Sequence, residues 1–394
     1  MGQFRSYLID NRRVISWSVL GVAGLSWLLL YKLGTLTYGM SASEIGASSQ
    51  AVGWHGIYGQ AFYLPLKLVR SLVFALFTDH GQFLSRLPNV VFGALSMVSF
   101  ACLIKLWHGT RTAIMASLMF MTSAWVLHVS RLASFDVLYL WAMPTLLLIQ
   151  VLLHKYAERL IVLLGSLLAW GLMLYVPGLV WLVALSIYMS RHQLQTAWKH
   201  FGGWQRSLYI VLFLAGVSLL VFDMLKFGGL AVWLGLPSHF VGVLEFAKGF
   251  VAVPIHLFIR GPQYPEIWLD RLPIMDIFTL VVCVIGIYFY ATHPKAARTR
   301  LLALFGATGV VLVGPGGAAG LSLLVPLLYV AAATGIAYLV HEWLQTFPKN
   351  PLARGLGLGL ISLAIGLSCI YNLRSYFVAW PHNPTTQAVF QYRR

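Results

Sequence analysis

Residues 87–111 read LPNVVFGALSMVSFACLIKLWHGTR. From Leu87 to Leu106 this stretch holds one charged side chain, Lys105, and that charge lies at its end beside His108 and Arg111. The hydrocarbon core of a bilayer, about 30 Å thick, takes about 20 helical residues to cross. In lipid every backbone N–H and C=O needs a partner within the chain, which leaves only helices and closed barrels. The stretch does not alternate polar and apolar residues as a membrane strand would. It therefore predicts a transmembrane helix that leaves the membrane at a basic cluster.

The same pattern recurs outward in both directions. Apolar runs at 14–33, 113–129, 137–153, 161–175, 179–189, 208–225, 273–290, 301–313, 321–340 and 355–373 bring the prediction to about eleven spans. Composition agrees. The 394 residues are 59% hydrophobic and 10% charged, with a mean hydropathy of +0.79, whereas soluble domains carry about 25% charged residues. A chain this apolar could not cover a surface facing water. The predicted fold class is an all-α membrane protein, a polytopic helical bundle. Two further stretches, 61–77 and 240–258, are apolar but carry Lys67 and Arg70, and Glu245 and Lys248. They read as interfacial helices on the outer face, with Lys67 and Arg70 at the lipid headgroups.

The net charge of +16 would suit a nucleic-acid partner, but its placement does not. Lys105, Arg111, Lys155, Arg159, Arg191, Lys199, Arg206, Lys295, Arg298, Arg300, Lys349 and Arg354 sit in short loops on one predicted side, the positive-inside pattern. This puts the basic N-terminus in the cytoplasm, followed by an uncleaved first span. The acids Glu44, Asp79, Asp136, Asp223, Glu245, Glu266, Asp270 and Asp276 gather on the opposite side. One face therefore carries most of the carboxylate chemistry. Cys102, Cys283 and Cys369 fall inside apolar runs without metal-ligand spacing and read as structural.

Three constellations stand out on the outer face. Glu44 follows the first span, where a carboxylate can take a proton from an attacking hydroxyl; with Ser41 three residues before it, it also fits a capping box. Asp136 closes Arg131-Leu132-Ala133-Ser134-Phe135-Asp136, where it is a second acid at the mouth between spans or the partner of Arg131 in an ion pair. The long outer loop 226–271 ends in Arg260, Glu266, Asp270 and Arg271 among Gly, Pro and aromatic residues. That composition suits either a binding wall or an interfacial belt. His55, His80, His128, His239, His256 and His382 lack zinc-protease spacing and read as polar interfacial residues. Gly314-Pro315-Gly316-Gly317 reads as a turn.

Taken together, these features resemble the GT-C class of membrane glycosyltransferases, which includes protein O-mannosyltransferases and the lipid A aminoarabinose transferase. Three segments carry the resemblance. Glu44 in the first outer loop precedes a helix opening with Tyr63-Leu64-Pro65. Ser85-Arg86-Leu87-Pro88, continuing through Phe92-Gly93 to Leu95, is similar to the family's R-L-P-S-x-x-F-G-x-L run. Arg131 to Asp136 is similar to its R-x-A-x-x-D. The match covers about the first 155 residues. Where the family usually shows an Asp-Glu pair, this chain has Ser43-Glu44, and the family's late arginine and tyrosine have no counterpart near Ser322 to Pro326.

The resemblance implies a GT-C-like transmembrane module at 1–155 and a second set of helices at 156–394 that includes the loop 226–271. It implies transfer of a sugar from a polyprenyl-phosphate donor, with inversion, to an acceptor at the extracytoplasmic face. Glu44 and Asp136 would be the catalytic carboxylates, and Arg131, Arg260 and Arg271 would meet the donor phosphate. Some relatives bind a divalent metal through such acids; with so few paired carboxylates here, no metal or other cofactor is expected. A bacterial inner membrane fits the absence of large outer domains. The acceptor, whether protein, lipid or glycan, stays open. A transporter or flippase for a lipid-linked solute and a non-catalytic GT-C-like protein are the competing readings.

Overall fold

The structure, a computed structural model, describes residues 12–49, 61–77, 81–236, 242–314 and 320–390. His55, Tyr58, Asp79, His80, His239 and most of the Gly314–Gly317 turn lie outside the described residues. Among the described residues there are helices and no strand. In chain order they are α1 (Arg12–Leu30), α2 (Ala42–Ser49), α3 (Leu64–Leu76), α4 (Gln82–His108), α5 (Thr110–Thr122), α6 (Ala124–Arg131), α7 (Val137–Tyr156), α8 (Leu160–Met173) and α9 (Leu179–Met189). After these come α10 (Arg191–His200), α11 (Gly203–Phe227), α12 (Leu230–Trp233), α13 (Val243–Phe258), α14 (Ile277–Thr292), α15 (Ala297–Val313), α16 (Leu321–Thr346), α17 (Pro351–Arg374) and α18 (Pro384–Val389).

The opening stretch lies in α4, whose 27 residues rise about 40 Å at 1.5 Å each, enough to cross a bilayer. By length and apolarity α4, α7, α11, α16 and the segment 351–379 qualify as spans, five in all, or up to seven if each of two bent pairs counts as one. These lengths do not by themselves reach the eleven spans expected from hydropathy. They do make the chain a polytopic helical membrane protein.

The predicted span 113–129 is two helices, α5 and α6, bent by 61° at Ser123. Such a break leaves N–H groups at the start of α6 without helical partners, a cost that must be met inside the membrane. Asn372 of α17 meets part of it, its Oδ1 accepting the Ala124 N–H at 3.1 Å. The Asn372 Nδ2 donates in turn to Asp276 at 3.0 Å. Asp276 is the N-cap of α14, accepting from the Thr279 N–H at 3.0 Å, and it also takes the Ser368 hydroxyl at 2.9 Å. One carboxylate thus ties the start of α14 to α17, and through Asn372 to the broken span.

The core runs between α4, α5, α7, α14 and α16. The rings of Phe100 and Phe120 stack at 4.3 Å, with Tyr329 edge-on to Phe120 at 5.3 Å. Helices α14 and α16 cross at Gly286 and Gly335. A Cβ at Gly286 would lie 1.9 Å from the Ala331 carbonyl oxygen, and one at Gly335 would lie 1.9 Å from that of Val282. Glycine is required there because lipid offers no hydrophobic drive between helices, and close backbone packing must hold them together.

Helix α11 behaves differently. Of its 25 residues only Leu220 and Asp223 are buried, so most of its surface faces outward from the protein.

Candidate active site at one end of the bundle

The site grows from the start of α4. Arg86 and Glu44 are both buried and pair in two-pronged fashion, with Arg86 Nε to Oε1 at 2.8 Å and Nη2 to Oε2 at 2.8 Å. Arg86 also donates to the Leu33 carbonyl and the Thr37 hydroxyl, each at 3.0 Å. Glu44 accepts the Ala133 N–H at 2.9 Å and the Ser41 N–H at 3.3 Å, while the Glu44 N–H donates to Ser41 Oγ at 3.1 Å. The capping box is therefore present. The four donors fill the acceptor capacity of the carboxylate, and together they bind the first outer loop to α4 and to the 131–136 segment.

Asp136 stands in contrast. It is half-buried, and among the described residues no hydrogen bond reaches its carboxylate. Burial pushes its acid dissociation up to about 6, with the charge of Glu266 adding to the shift. Glu266, from the long outer loop, accepts hydrogen bonds from the hydroxyls of Ser41 and Ser43. The first loop, the 131–136 segment and the long outer loop thus come together at one end of the bundle. Asp136 and Glu266 thus come from two distant parts of the chain, and the charge of one is felt at the other. Sequence reading did not single out Glu266 as a site residue; its place in an acidic, aromatic loop was the one signal available.

The cations sit elsewhere than expected. Lys67 and Arg70 are not at headgroups: both are buried inside the protein, while Leu68, Leu72 and Leu76 of the same helix are exposed. Helix α3 thus turns its leucines outward and its charges in. Arg70 donates to the Ala47 carbonyl and, at 3.3 Å, to Asn89, whose amide holds the Ser134 carbonyl at 2.6 Å. Its guanidinium lies 5.9 Å from the centre of the Phe135 ring, on which Tyr63 stacks at 4.2 Å. Burial pulls Lys67 down to about 8, against the favourable charge of Asp223 and with a smaller push from Arg70.

Arg131 makes no ion pair with Asp136. It is buried, donates to the Leu28 carbonyl at 3.4 Å and to the Tyr31 carbonyl, and lies over the rings of Tyr376 and Phe377. It caps the end of α1, where carbonyls lack helical partners. Arg260 and Arg271 are exposed. Arg271 donates through Nε and Nη2 to the Gln263 amide oxygen, both at 2.7 Å. It lines a cavity of about 460 Å³ with Tyr264, Pro265, Asp270 and Thr385. His128, expected at the interface, is wholly buried among Trp268, Tyr376 and Trp380. Among the described residues no three His, Cys, Asp or Glu side chains converge as a metal site would require.

A helical bundle with acids gathered at one end and buried cations defines a class before it defines a protein. No protein-family model matches the sequence, and no characterised protein matches it in sequence. In fold the chain is similar to GT-C glycosyltransferases. Against ArnT, the aminoarabinose transferase, from Cupriavidus metallidurans in the apo state, the TM-score is 0.60 at 13% identity, covering 95% of this chain and 78% of that one. The same enzyme bound to undecaprenyl phosphate gives 0.54 at 14% identity, covering 95% and 77%. The oligosaccharyltransferase of Archaeoglobus fulgidus, tethered to an acceptor peptide containing the NVT sequon, gives 0.54 at 12% identity over 95% of this chain and 56% of that one. The GT-C-like fold expected from the sequence is the fold observed.

Proposed function

We propose that this protein is a membrane glycosyltransferase that moves a sugar from a polyprenyl-phosphate donor to an acceptor at the face bearing Glu44, Asp136 and Glu266. The observation that carries the reading is the Asp136 carboxylate, half-buried and without a hydrogen-bond donor among the described residues, in a GT-C-like fold that also buries Lys67 and Arg70. The structural neighbours, crystallised with undecaprenyl phosphate and with an acceptor peptide, support a lipid-phosphate donor and a separate acceptor.

In this mechanism Asp136 takes the proton from the acceptor hydroxyl. The acceptor oxygen bonds to the anomeric carbon as the bond from that carbon to the phosphate oxygen breaks, with inversion. The bonding pair leaves with polyprenyl phosphate, whose added charge is met by a buried cation. A base that titrates near 6 is ionised at neutral pH yet a stronger proton acceptor than an exposed carboxylate. Lys67, with Arg70 behind it, is the cation we assign to the phosphate. Arg271, at the outer cavity, is placed to meet the acceptor or donor from the water side. Glu44, saturated by Arg86, positions the 131–136 segment and does not itself take the proton. The step as written needs no metal, and activity is expected to survive chelation.

The apolar runs of the sequence support about eleven crossings, and its basic loops support an N-terminus in the cytoplasm of a bacterium. Residues 1–155 then hold Glu44, Asp136, Lys67 and Arg70, and loop 226–271 completes the site with Glu266 and Arg271. Single cysteines at Ala297 and Thr385 should label from opposite sides. The activity test is sugar transfer in proteoliposomes with radiolabelled polyprenyl-phosphate sugars. Transfer that is lost in Asp136→Asn supports the reading. No transfer by the unmodified protein from any such donor, whatever the acceptor, would overturn it in favour of a non-catalytic member of the fold.

A further inference from the structure

The opposite end of the bundle carries a second constellation that sugar transfer does not use. A cavity of about 440 Å³ opens where α4 and α16 end and where α5 and α15 begin. Its polar lining includes His108, Arg111, Arg298, Thr334 and His341, and among the described residues no Asp or Glu lines it. The rest of its wall is apolar, with Phe289, Val340 and Leu344 among the contributors.

Arg111 and Arg298 line the space, and neither has an ion pair among the described residues. Arg298 is fixed by one donor, Nη1 to the Trp107 carbonyl at 3.1 Å, with its guanidinium 5.5 Å from the centre of the Trp107 ring. Its other N–H groups have no acceptor among the described residues. Arg111 is exposed and has no hydrogen bond or ion pair among the described residues. Deeper in, Tyr290, Thr334 and His108 form a chain, with Tyr290 OH to Thr334 Oγ1 at 2.6 Å and Thr334 Oγ1 to His108 Nε2 at 3.1 Å. The first turns of both α5 and α15 face this space, and helix N-termini add positive potential. A second cavity at this end, near Tyr156, mixes Lys155 and Arg159 with Glu158 and so has no such bias.

We propose that the cavity lined by Arg111 and Arg298 binds the phosphate headgroup of an anionic phospholipid in the leaflet opposite the sugar-transfer site. Two unpaired guanidiniums match phosphate oxygens in charge and fork geometry. The apolar wall suits the glycerol and first acyl carbons, and basic pockets between helices are a recurring way to hold anionic headgroups. The ligand class is thus a lipid phosphomonoester or phosphodiester whose headgroup carries no compensating cation, not the polyprenyl donor at the other face.

The test uses the full-length purified protein in neutral detergent with added phosphatidylglycerol, phosphatidylcholine or inorganic phosphate. Thermal unfolding and lipid retained by native mass spectrometry are the readouts. Phosphatidylglycerol should raise the unfolding midpoint and stay bound, and phosphatidylcholine should do neither. Arg111→Gln with Arg298→Gln should lower the apparent affinity for phosphatidylglycerol by about tenfold or more. Since Arg298 also supports Trp107, Arg111→Gln with His341→Gln serves as a second variant that leaves that contact alone, and it should show a smaller loss in the same direction. Equal retention by wild type and both variants overturns the site. So does an equal loss in Lys155→Gln with Arg159→Gln, which would mean diffuse surface charge. A full shift from inorganic phosphate alone overturns the lipid as the occupant.

Discussion

Glu44 and Asp136 look alike in the sequence: each is a lone carboxylate on the outer face, a few residues from a span. In the structure they differ in almost every respect that matters. Glu44 is fully buried and receives four hydrogen bonds, two of them from Arg86. Asp136 is half-buried, feels the charge of Glu266 and is pushed up to about 6. A carboxylate whose lone pairs are occupied by an arginine holds structure together. One that is desolvated without donors is poised to take a proton. Burial alone does not separate the two roles; the donors do.

The comparison can be broken by experiment, and the largest expected effect belongs to Asp136. Asp136→Asn should lower the sugar-transfer rate by about 10²–10⁴ while leaving thermal stability unchanged or slightly raised, because burial disfavours the ionised form. Glu44→Gln should act through folding. It strips the charge from one partner of a buried pair, and leaving Arg86 uncompensated costs about 3–5 kcal/mol, read as a lower denaturation midpoint. If instead Glu44→Gln folds like the wild type and transfers nothing, the two carboxylates exchange roles. Lys67→Gln should weaken the donor by about tenfold, the scale of a charge-assisted hydrogen bond, seen as a higher KM at similar kcat. The pH profile sharpens the assignment further. Asp136 must be ionised, so the rate should rise as pH climbs through about 6, and Lys67 must be protonated, so it should fall as pH climbs through about 8. Lys67→Gln should remove the alkaline limb and leave the acid one. Arg260→Gln, an exposed change, should shift stability by no more than about 0.5 kcal/mol.

How much of this was legible in the sequence follows from which interactions are local. The spans could be read because twenty apolar residues are a local property, and the capping box could be read because Ser41 and Glu44 are three residues apart. The gathering of acids on one face followed from topology and charge. What could not be read was pairing across the chain. Nothing near Glu44 says that Arg86 neutralises it, and nothing near Asp136 says that the charge of Glu266, 130 residues away, acts on it. The inward turn of Lys67 and Arg70 was missed for a related reason. An amphipathic helix with two cations can lay them towards headgroups or into a polar chamber, and only the packing of α3 against α4 and the first loop decides. Arg131 showed the limit of motif matching, since its place beside Asp136 in sequence does not bring it to that carboxylate in space; it holds the end of α1.

Helix α11 has a mechanical consequence. Its 25 residues would extend about 37 Å, more than the roughly 30 Å of an average hydrocarbon core, and little of the protein holds it upright. Such a helix settles its tilt against the thickness of the surrounding bilayer. Near its end Asp223 accepts the Ala61 N–H at 2.8 Å, and Ala61 opens the turn that leads into Lys67 and Arg70. A thinner membrane that leans the helix over therefore pulls on the stretch of backbone that leads into Lys67 and Arg70. Reconstitution in lipids of graded acyl length should change donor affinity before it changes the chemistry, because Asp136 sits at the start of α7, which is packed in the core.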